Sequence, residues 1–226
     1  METKQIVIYP NDILSTPTKK TDLETAQKIA VELFKTLNQE GGLGLSANQI
    51  GEDKSVCVVN VTNPFFLQNP KIVKKEKEII YKEGCLSIPE KMITTKRYEK
   101  IWVEADNIDD TMFFGPEKSN QVDNDLLVLE SVCVQHEIDH LNGLTIYDRE
   151  YKLGYNTLSN HFFDTVTIKT NKKTNSIYDA ALKENINLRK VDEEHLSVAF
   201  DEAKKLDDVN ILLKIFGISK IIKQDV

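Results

Sequence analysis

The string H-E-I-D-H at residues 136–140 constrains the fold of this 226-residue chain more than any other feature. Side chains four positions apart lie on the same face of an α-helix, so His136 and His140 can bind one metal ion with Glu137 beside it. A helix from about residue 125 to 141 would end at the stop signal Asn142-Gly143. The sequence therefore predicts a helix that carries two ligands of a metal site.

A catalytic metal site usually takes three protein ligands and leaves one position for water. The other histidines, His161 and His195, do not have the spacing of a metzincin. A downstream glutamate, Glu150 or Glu184, could complete the site as in thermolysin-like zincins. Cys85 is the better candidate, because it lies between a glycine and a strand-like stretch and its thiolate would add negative charge.

A third segment, Gly42 to Gln49 (GLGLSANQ), is rich in glycine. Glycine allows the close approach of a substrate backbone, and the side-chain amide of Gln49 can stabilise an oxyanion. The segment lacks the third glycine and the strand–helix unit of a dinucleotide-binding fingerprint. Taken alone, it indicates a glycine-rich loop after a helix.

Gly42–Gln49, Glu83–Ser87 and Gln135–His140 resemble, in this order, the three motifs of the peptide deformylase family. The resemblance covers roughly residues 5 to 149, and it departs from the family at Ser46, where alanine is usual. It implies an α+β fold, with mixed sheets packed around a central helix that carries the His-Glu-x-x-His motif. It also implies removal of the N-formyl group from the initiator methionine of new polypeptides.

The resemblance implies a role for each motif residue. One divalent ion, Fe(II) in most of the family with zinc, nickel or cobalt as substitutes, would be bound by Cys85, His136 and His140. Glu137 would take a proton from water and deliver it to the leaving amine. Gln49 and the backbone N–H of Leu86 would stabilise the oxyanion. The implied substrate contacts are Leu43, Val132 and Cys133 along the methionine side chain, and Gly44, Gly84 and Arg97 along the backbone.

The character of the sequence changes near residue 150, which predicts a catalytic domain at 1–150 and a small βαβα lobe at 151–226. Four strings of the lobe stand out: Phe162–Thr165, Ile186–Arg189, Phe200–Glu202 and Leu212–Gly217. In this order they resemble a segment of the glycine cleavage system P-protein, a pyridoxal-phosphate decarboxylase. The cofactor-anchoring region of that family lies outside the matched stretch, so the resemblance implies no activity.

Composition excludes several other classes of protein. A net charge of -7, a pI of about 5.2 and the lack of a long Lys/Arg block argue against binding of nucleic acid. The sequence has no apolar run that approaches the ~18 residues of a membrane span, and its first residues do not resemble a secretion signal. Three separated cysteines indicate a reducing compartment. The expectation is a cytoplasmic protein that acts on N-formyl-Met nascent peptides close to the ribosome.

Two alternatives to a deformylase stay open at this point. One is a zincin-type endopeptidase with a downstream third ligand. The other is a catalytically silent binding protein that keeps the fold, although the intact Glu137 argues against it. The expected strands are Ile6–Tyr9, Ser55–Val61, Ile79–Tyr81, Met92–Thr95, Ile101–Ala105, Phe162–Thr170 and Leu196–Phe200. Helices are expected after a cap at Thr21 or Asp22, at Ile177–Glu184 and at Leu206–Phe216. Asn107–Asp125 is expected to be a long loop or loose hairpin.

Overall fold

The computed structural model describes residues 3–117, 122–151, 155–158, 164–200, 206–217 and 221–222. The chain divides into two compact units, and the division falls after Glu150. Both units combine helices with antiparallel strands, which confirms the predicted mixture of α and β structure.

The first unit contains two α-helices, six strands and two short 3₁₀ helices among its described residues. Their bounds are α1 (Leu23–Glu40), β1 (Gly44–Ser46), β2 (Val56–Asn60), β3 (Pro64–Gln68), β4 (Lys71–Cys85), β5 (Ile88–Glu104), β6 (Met112–Phe114) and α2 (Asn124–Leu141), with the 3₁₀ helices at Asp12–Ser15 and Ala47–Ile50.

Helix α1 follows from local sequence rules. Asp22 caps it by accepting a hydrogen bond from the backbone N–H of Thr25 at 2.9 Å. It ends at Gly41, whose φ of 73° is the left-handed conformation that glycine adopts without strain. Its apolar residues recur at helical spacing and lie in the core, as predicted: Ala26, Ile29, Leu33 and Leu37.

The glycine-rich segment forms a strand and a 3₁₀ helix instead of the expected loop. Strands β1, β2 and β3 pair antiparallel in that order, and Gly44 is opposite Val59. The 3₁₀ helix Ala47–Ile50 follows directly and is entirely buried. Pairing with the buried strand β2 therefore holds Gly44 and Gln49 in fixed positions.

Strands β4 and β5 form one long antiparallel hairpin, where the sequence predicts three shorter strands. Their register runs from Lys71 opposite Glu104 to Cys85 opposite Ile88, with a shift between Glu83 and Cys85. The hairpin places Cys85 at its turn end.

Asn107–Asp125 is predicted as a long loop or loose hairpin, and within it strand β6 pairs antiparallel with β5, while residues 118–121 lie outside the described residues. One further expectation is wrong. Ile6–Tyr9 is not a strand. Two backbone hydrogen bonds hold this segment, from Val7 N–H to the carbonyl of Gln49 at 2.8 Å and from Tyr9 N–H to the carbonyl of Ser87 at 2.9 Å.

Helix α2 contacts β1, β2 and β5. Fourteen of its eighteen residues are buried, including a run of polar ones. Because burying a polar group without a partner is costly, these side chains require partners from neighbouring elements. Past its end, Gly143 has a φ of 71°.

The second unit has a core of its own, and its helices and strands follow the predicted order. Among its described residues, four strands pair antiparallel, in the order β7 (Asn156–Thr157), β8 (Thr165–Lys169), β10 (His195–Ala199) and β9 (Arg189–Lys190). The first two residues of the predicted strand, Phe162 and Phe163, lie outside the described residues. The elements are β7 (Asn156–Thr157), β8 (Thr165–Lys169), a 3₁₀ helix (Asn171–Lys173), α3 (Thr174–Lys183), β9 (Arg189–Lys190), β10 (His195–Ala199), α4 (Leu206–Ile215) and β11 (Ile221–Ile222).

In the described part of the chain, no helix is both long enough and apolar enough to span a membrane.

Candidate active site

Three potential ligand atoms converge where α2 meets the end of β4. The Nε2 atoms of His136 and His140 lie 3.2 Å apart, and the Sγ atom of Cys85 lies 3.2 Å from Nε2 of His140. All three atoms lie within 4.8 Å of one another. Tetrahedral coordination with Zn–S of about 2.3 Å and Zn–N of about 2.0–2.1 Å separates ligand atoms by roughly 3.3–3.6 Å. The spacing therefore fits one small divalent ion.

The chemistry of these donors narrows the kind of ion. Thiolate and imidazole suit first-row metals such as iron, zinc, nickel and cobalt, and not magnesium or calcium. Among the described residues, this group of ligand atoms does not include the downstream candidates Glu150 and Glu184. His195 instead contacts Asp192, and His161 lies outside the described residues.

A buried carboxylate orients one of the two imidazoles. Nδ1 of His136 donates a hydrogen bond to Glu83 at 2.8 Å, which leaves Nε2 directed at Cys85 and His140. Burial lowers the pKa of His136, but hydrogen bonds with Cys85 and Glu83 outweigh it and raise the pKa well above the usual value. Burial and the neighbouring His136 lower the pKa of His140. Because metal binding displaces protons from its ligands, an ion bound here would displace the proton on Nε2 of His136.

Glu83 is itself held by Arg97, which is also buried. Nε and a terminal nitrogen of Arg97 donate to the two oxygens of Glu83 at 2.7 and 3.2 Å, and Thr95 donates to the same carboxylate. Burial raises the pKa of Glu83, but Arg97 and His136 lower it further, to about 2. Glu83 is therefore ionised and accepts a hydrogen bond from the Nδ1–H group of His136.

Arg97 does not have the place that the resemblance implies for it. It is 3% exposed and does not line the cavity beside the metal ligands. Its guanidinium group binds Glu83 on one side and Asp139 on the other. Its observed contacts are those of a residue that supports the metal ligands.

Glu137 lies beside the ligands with one free oxygen. Its side chain is buried, and Oε2 has no hydrogen-bond partner among the described residues. Desolvation raises the pKa of this carboxyl to about 7, which suits a group that takes and returns a proton near neutral pH. A Cβ at Gly44 would lie 2.5 Å from Oε1 of Glu137, so the glycine is required for this arrangement.

The side chain of Gln49 is fixed at both of its ends. Its Oε1 atom accepts hydrogen bonds from the backbone N–H and the hydroxyl of Ser46, at 3.0 and 2.9 Å. Its Nε2 atom lies 3.1 Å from the Ser87 hydroxyl and 3.6 Å from Sγ of Cys85. The amide donor therefore points toward the metal ligands, and the hydroxyl of Ser46, where the family usually has alanine, helps to hold it.

A cavity of about 840 Å³ opens next to this cluster. Besides Arg97, only His140 among the expected site residues is absent from its lining; His140 is 1% exposed. The sequence reasoning missed Tyr81 and Leu129. Both follow from periodicity, since Tyr81 is two residues before Glu83 on a strand and Leu129 is one helical turn before Cys133. The expected residues in the lining are Leu43, Gly44, Gln49, Gly84, Cys85, Leu86, Val132, Cys133, His136 and Glu137.

The second unit is similar in sequence to a known enzyme segment. The family model of the glycine cleavage system P-protein matches residues 138–216. These residues include the tail strings that carry the resemblance in the sequence, except Gly217. Of those strings, Phe162, Phe163, Asp201 and Glu202 lie outside the described residues. The match covers about a third of the chain and assigns no activity to the tail.

The first unit matches one family throughout. The family model of polypeptide deformylase matches residues 3–155. The chain is 38% identical over 156 residues to the peptide deformylase of Aquifex aeolicus, covering 65% of this chain and 86% of that protein. It is 37% identical over 155 residues to that of Buchnera aphidicola, covering 66% and 84%.

Solved structures agree with the sequence matches. The peptide deformylase from Legionella pneumophila superimposes with a TM-score of 0.56 at 30% identity, over 67% of this chain and 88% of that one. The peptide deformylase from Thermotoga maritima superimposes with a TM-score of 0.57 at 26% identity, over 67% and 100%. Together with the family model, these matches show that the chain belongs to the peptide deformylase family.

Proposed function

We propose that this chain, a hydrolase that removes formyl groups from nascent peptides, does so with one divalent ion held by Cys85, His136 and His140 and with Glu137 as general base. Deformylation follows from membership of the family. The observation that supports the metal site most strongly is the convergence of three ligand atoms within 4.8 Å beside a cavity.

When bound, the ion acts as a Lewis acid that polarises the formyl carbonyl and lowers the pKa of water. Glu137 is placed to take the proton of the attacking water and to deliver it to the amine that leaves. A carboxyl with a pKa of about 7 exchanges a proton readily in both directions near neutral pH. Its free Oε2 atom is the acceptor that this step requires.

Two hydrogen-bond donors are proposed to stabilise the negative oxygen that develops on the formyl carbon. Nε2 of Gln49 has two hydrogens: the Ser87 hydroxyl accepts one at 3.1 Å, and the other is directed at Sγ of Cys85 at 3.6 Å, beside the place proposed for the substrate oxygen. The second donor is the backbone N–H of Leu86, which lines the same cavity. Donors fixed before the reaction begins cost no reorganisation during it.

The methionine side chain of the substrate is proposed to lie along the apolar part of the cavity. Leu43, Val132 and Cys133 line it there, and Gly44 and Gly84 allow the peptide backbone to approach closely. Burial raises the pKa of the Cys133 thiol well above its ordinary value. Cys133 is therefore an uncharged, apolar contact for a thioether and not a nucleophile.

Several finer assignments belong to the same proposal. We assign Fe(II) to the site, with zinc, nickel or cobalt as substitutes, because the donor set suits all four ions. Cys57, Cys85 and Cys133 are free, which supports a reducing compartment, and we assign the cytoplasm. A place close to the ribosome is proposed because the substrate is a nascent peptide. The proposal also gives α2 the central place in a catalytic domain at residues 1–150, and it assigns no role to 151–226.

Two variants test the site together. Glu137→Ala is expected to keep the ion and to lose nearly all turnover, because the proton acceptor is removed. Cys85→Ser is expected to lose most of the ion, because a hydroxyl is a poor substitute for a thiolate ligand. The measurements are elemental analysis of anaerobically purified protein and hydrolysis of a formyl-Met peptide.

A contrary result for either variant would contradict a different part of the proposal. Wild-type turnover by Glu137→Ala would exclude that residue as the general base, whereas an unchanged metal content in Cys85→Ser would exclude that cysteine as a ligand. A casein digest run in parallel tests the endopeptidase alternative, which predicts cleavage of internal peptide bonds.

A further inference from the structure

We propose that Arg149 is a positioning residue for the metal ligand His136, acting through Asp139, Arg97 and Glu83. This inference rests on the proposed metal site. We call Glu83, Arg97, Asp139 and Arg149 the carboxylate–arginine network.

The network is a continuous series of charge-assisted hydrogen bonds. It begins at Nδ1 of His136, which donates to Glu83 at 2.8 Å, and Glu83 accepts two hydrogen bonds from Arg97. Arg97 then donates to Oδ2 of Asp139. Finally, Arg149 binds both oxygens of Asp139, with Nε 2.9 Å from Oδ2 and a terminal nitrogen 2.6 Å from Oδ1.

The balance of charge explains why Arg149, at one end of the network, affects His136 at the other end. Glu83, Arg97 and Asp139 are each less than a tenth exposed, so two buried carboxylates share one buried guanidinium group. Arg149 supplies the second positive charge and makes the network neutral. The side chain of Arg149 is 39% exposed, but its partner Asp139 is buried, so truncating Arg149 leaves an uncompensated charge on the buried carboxylate, which is unfavourable.

Without Arg149, Asp139 would compete with Glu83 for the donors of Arg97. A shift of Arg97 toward Asp139 weakens its hydrogen bonds to Glu83, and Glu83 would then hold His136 less firmly. Partners that orient a metal-binding histidine typically contribute 10–100-fold to metal affinity or activity. The effect of Arg149 is expected at the lower end of that range, because it acts through three intervening side chains.

The chain that follows α2 is folded so as to place Arg149. Asp148 accepts hydrogen bonds from the backbone N–H and the hydroxyl of Thr145, at 2.8 and 3.0 Å, which closes a turn. The carbonyl of Arg149 accepts a hydrogen bond from the backbone N–H of Lys96 at 3.3 Å. Glu150 forms an isolated antiparallel β-bridge with Thr95. Residues 149–150 are therefore attached to β5, the strand that carries Arg97.

The experiment compares the wild-type chain with three full-length variants loaded with Co(II). Arg149→Met removes the charge and the forked donor at similar length, whereas Arg149→Lys keeps the charge without the fork. Lys28→Met is the matched control, because Lys28 forms an exposed pair with Glu24 on α1 and has no part in the network. The readouts are the rate of Co(II) dissociation, the visible absorption spectrum of the bound ion, and kcat and KM for a formyl-Met peptide.

Arg149→Met is expected to release Co(II) about tenfold faster, with a shifted absorption spectrum and a kcat about tenfold lower, while KM changes by less than about twofold. Arg149→Lys should lie between Arg149→Met and wild type, and Lys28→Met should match wild type. If Arg149→Met does not fold, the same comparison is made on Arg149→Lys, where an intermediate rate supports the proposal and a wild-type rate overturns it.

A dissociation rate and a spectrum equal to those of wild type in Arg149→Met would overturn the role of Arg149, even if the metal-free variant unfolds more easily. A wild-type chain that binds no Co(II) would contradict the metal site itself. These two failures are therefore distinguishable.

Discussion

At the scale of single residues, the active site depends on the absence of a side chain at position 44. A Cβ built on Gly44 lies 2.5 Å from Oε1 of Glu137 and 2.7 Å from Sγ of Cys133. Gly44→Ala should therefore displace Glu137 without touching the ligands, and a misplacement of about 1 Å can lower a rate about 100-fold. We expect kcat to fall by about that factor, with the metal content unchanged.

Gly42→Ala is the matched control in the same segment. There a Cβ would meet the ends of two leucine side chains, Leu37 and Leu86, each at 2.9 Å, and both can rotate away. Its kcat should stay within about threefold of wild type, because flexible side chains yield at small cost. Equal kcat values in the two alanine variants would show that Gly44 is not needed for the position of Glu137.

The residues of the site differ in how far the sequence predicts their positions. The spacing within α2 predicts that His136, Glu137 and His140 share a face, and the structure brings Cys85 to them. The partners of these residues were not predictable from spacing. Glu83 and Arg97 are fourteen positions apart. The register of the β4–β5 hairpin pairs Glu83 with Ile93 and Arg97 with Ile79, and the long side chain of Arg97 reaches Glu83 along the hairpin. Register depends on the packing of the whole hairpin and not on a local motif.

At the scale of elements, the end of α2 is held in place by a close backbone contact. Gly143 has a φ of 71°, and a Cβ on it would lie 2.8–2.9 Å from backbone atoms of Ser15, Thr16 and Pro17. Gly143→Ala should lower the free energy of unfolding by about 3 kcal/mol, since left-handed strain costs about 1–2 kcal/mol and overpacking adds about 1–3 kcal/mol. Urea unfolding followed by the fluorescence of Trp102, the one tryptophan of the chain, measures this in the first unit.

Gly41→Ala separates strain from overpacking. Gly41 ends α1 with a φ of 73°, but a Cβ there would meet no atom within 4 Å. This variant should lose only the strain contribution, about 1–2 kcal/mol. If both alanine variants lose the same free energy, the contact between Gly143 and residues 15–17 does not contribute to the stability of the fold.

Elements were predictable where a local pattern determines them. The caps and apolar spacing of α1 locate that helix closely, and the stop signal at Asn142-Gly143 locates the end of α2. Strand β6 was not located within the predicted loop or loose hairpin, because its pairing with β5 brings together residues such as Ile101 and Phe114 that no local pattern links. The segment Ile6–Tyr9 has the composition of a strand, but it makes only scattered hydrogen bonds with Gln49 and Ser87.

At the scale of the whole molecule, each unit has a separate apolar core. The core clusters of the first unit draw on residues between Ile6 and Leu141, and that of the second on residues between Tyr155 and Phe216. A unit with its own core can in principle fold by itself. The chemistry proposed for the chain also lies entirely before residue 151.

The boundary of the active unit can therefore be tested by two truncations that differ by three residues. A chain that ends at Glu150 keeps Arg149 and its hydrogen bonds to Asp139, and we expect its kcat/KM for a formyl-Met peptide to stay within about twofold of the full chain. A chain that ends at Tyr147 lacks Arg149, and we expect it to retain metal about tenfold less well. Circular dichroism and elemental analysis of both chains accompany the assay. A folded, metal-loaded 1–150 chain with strongly reduced activity would show that the second unit contributes to catalysis, whereas equal metal retention by the two truncated chains would place the boundary before Asp148.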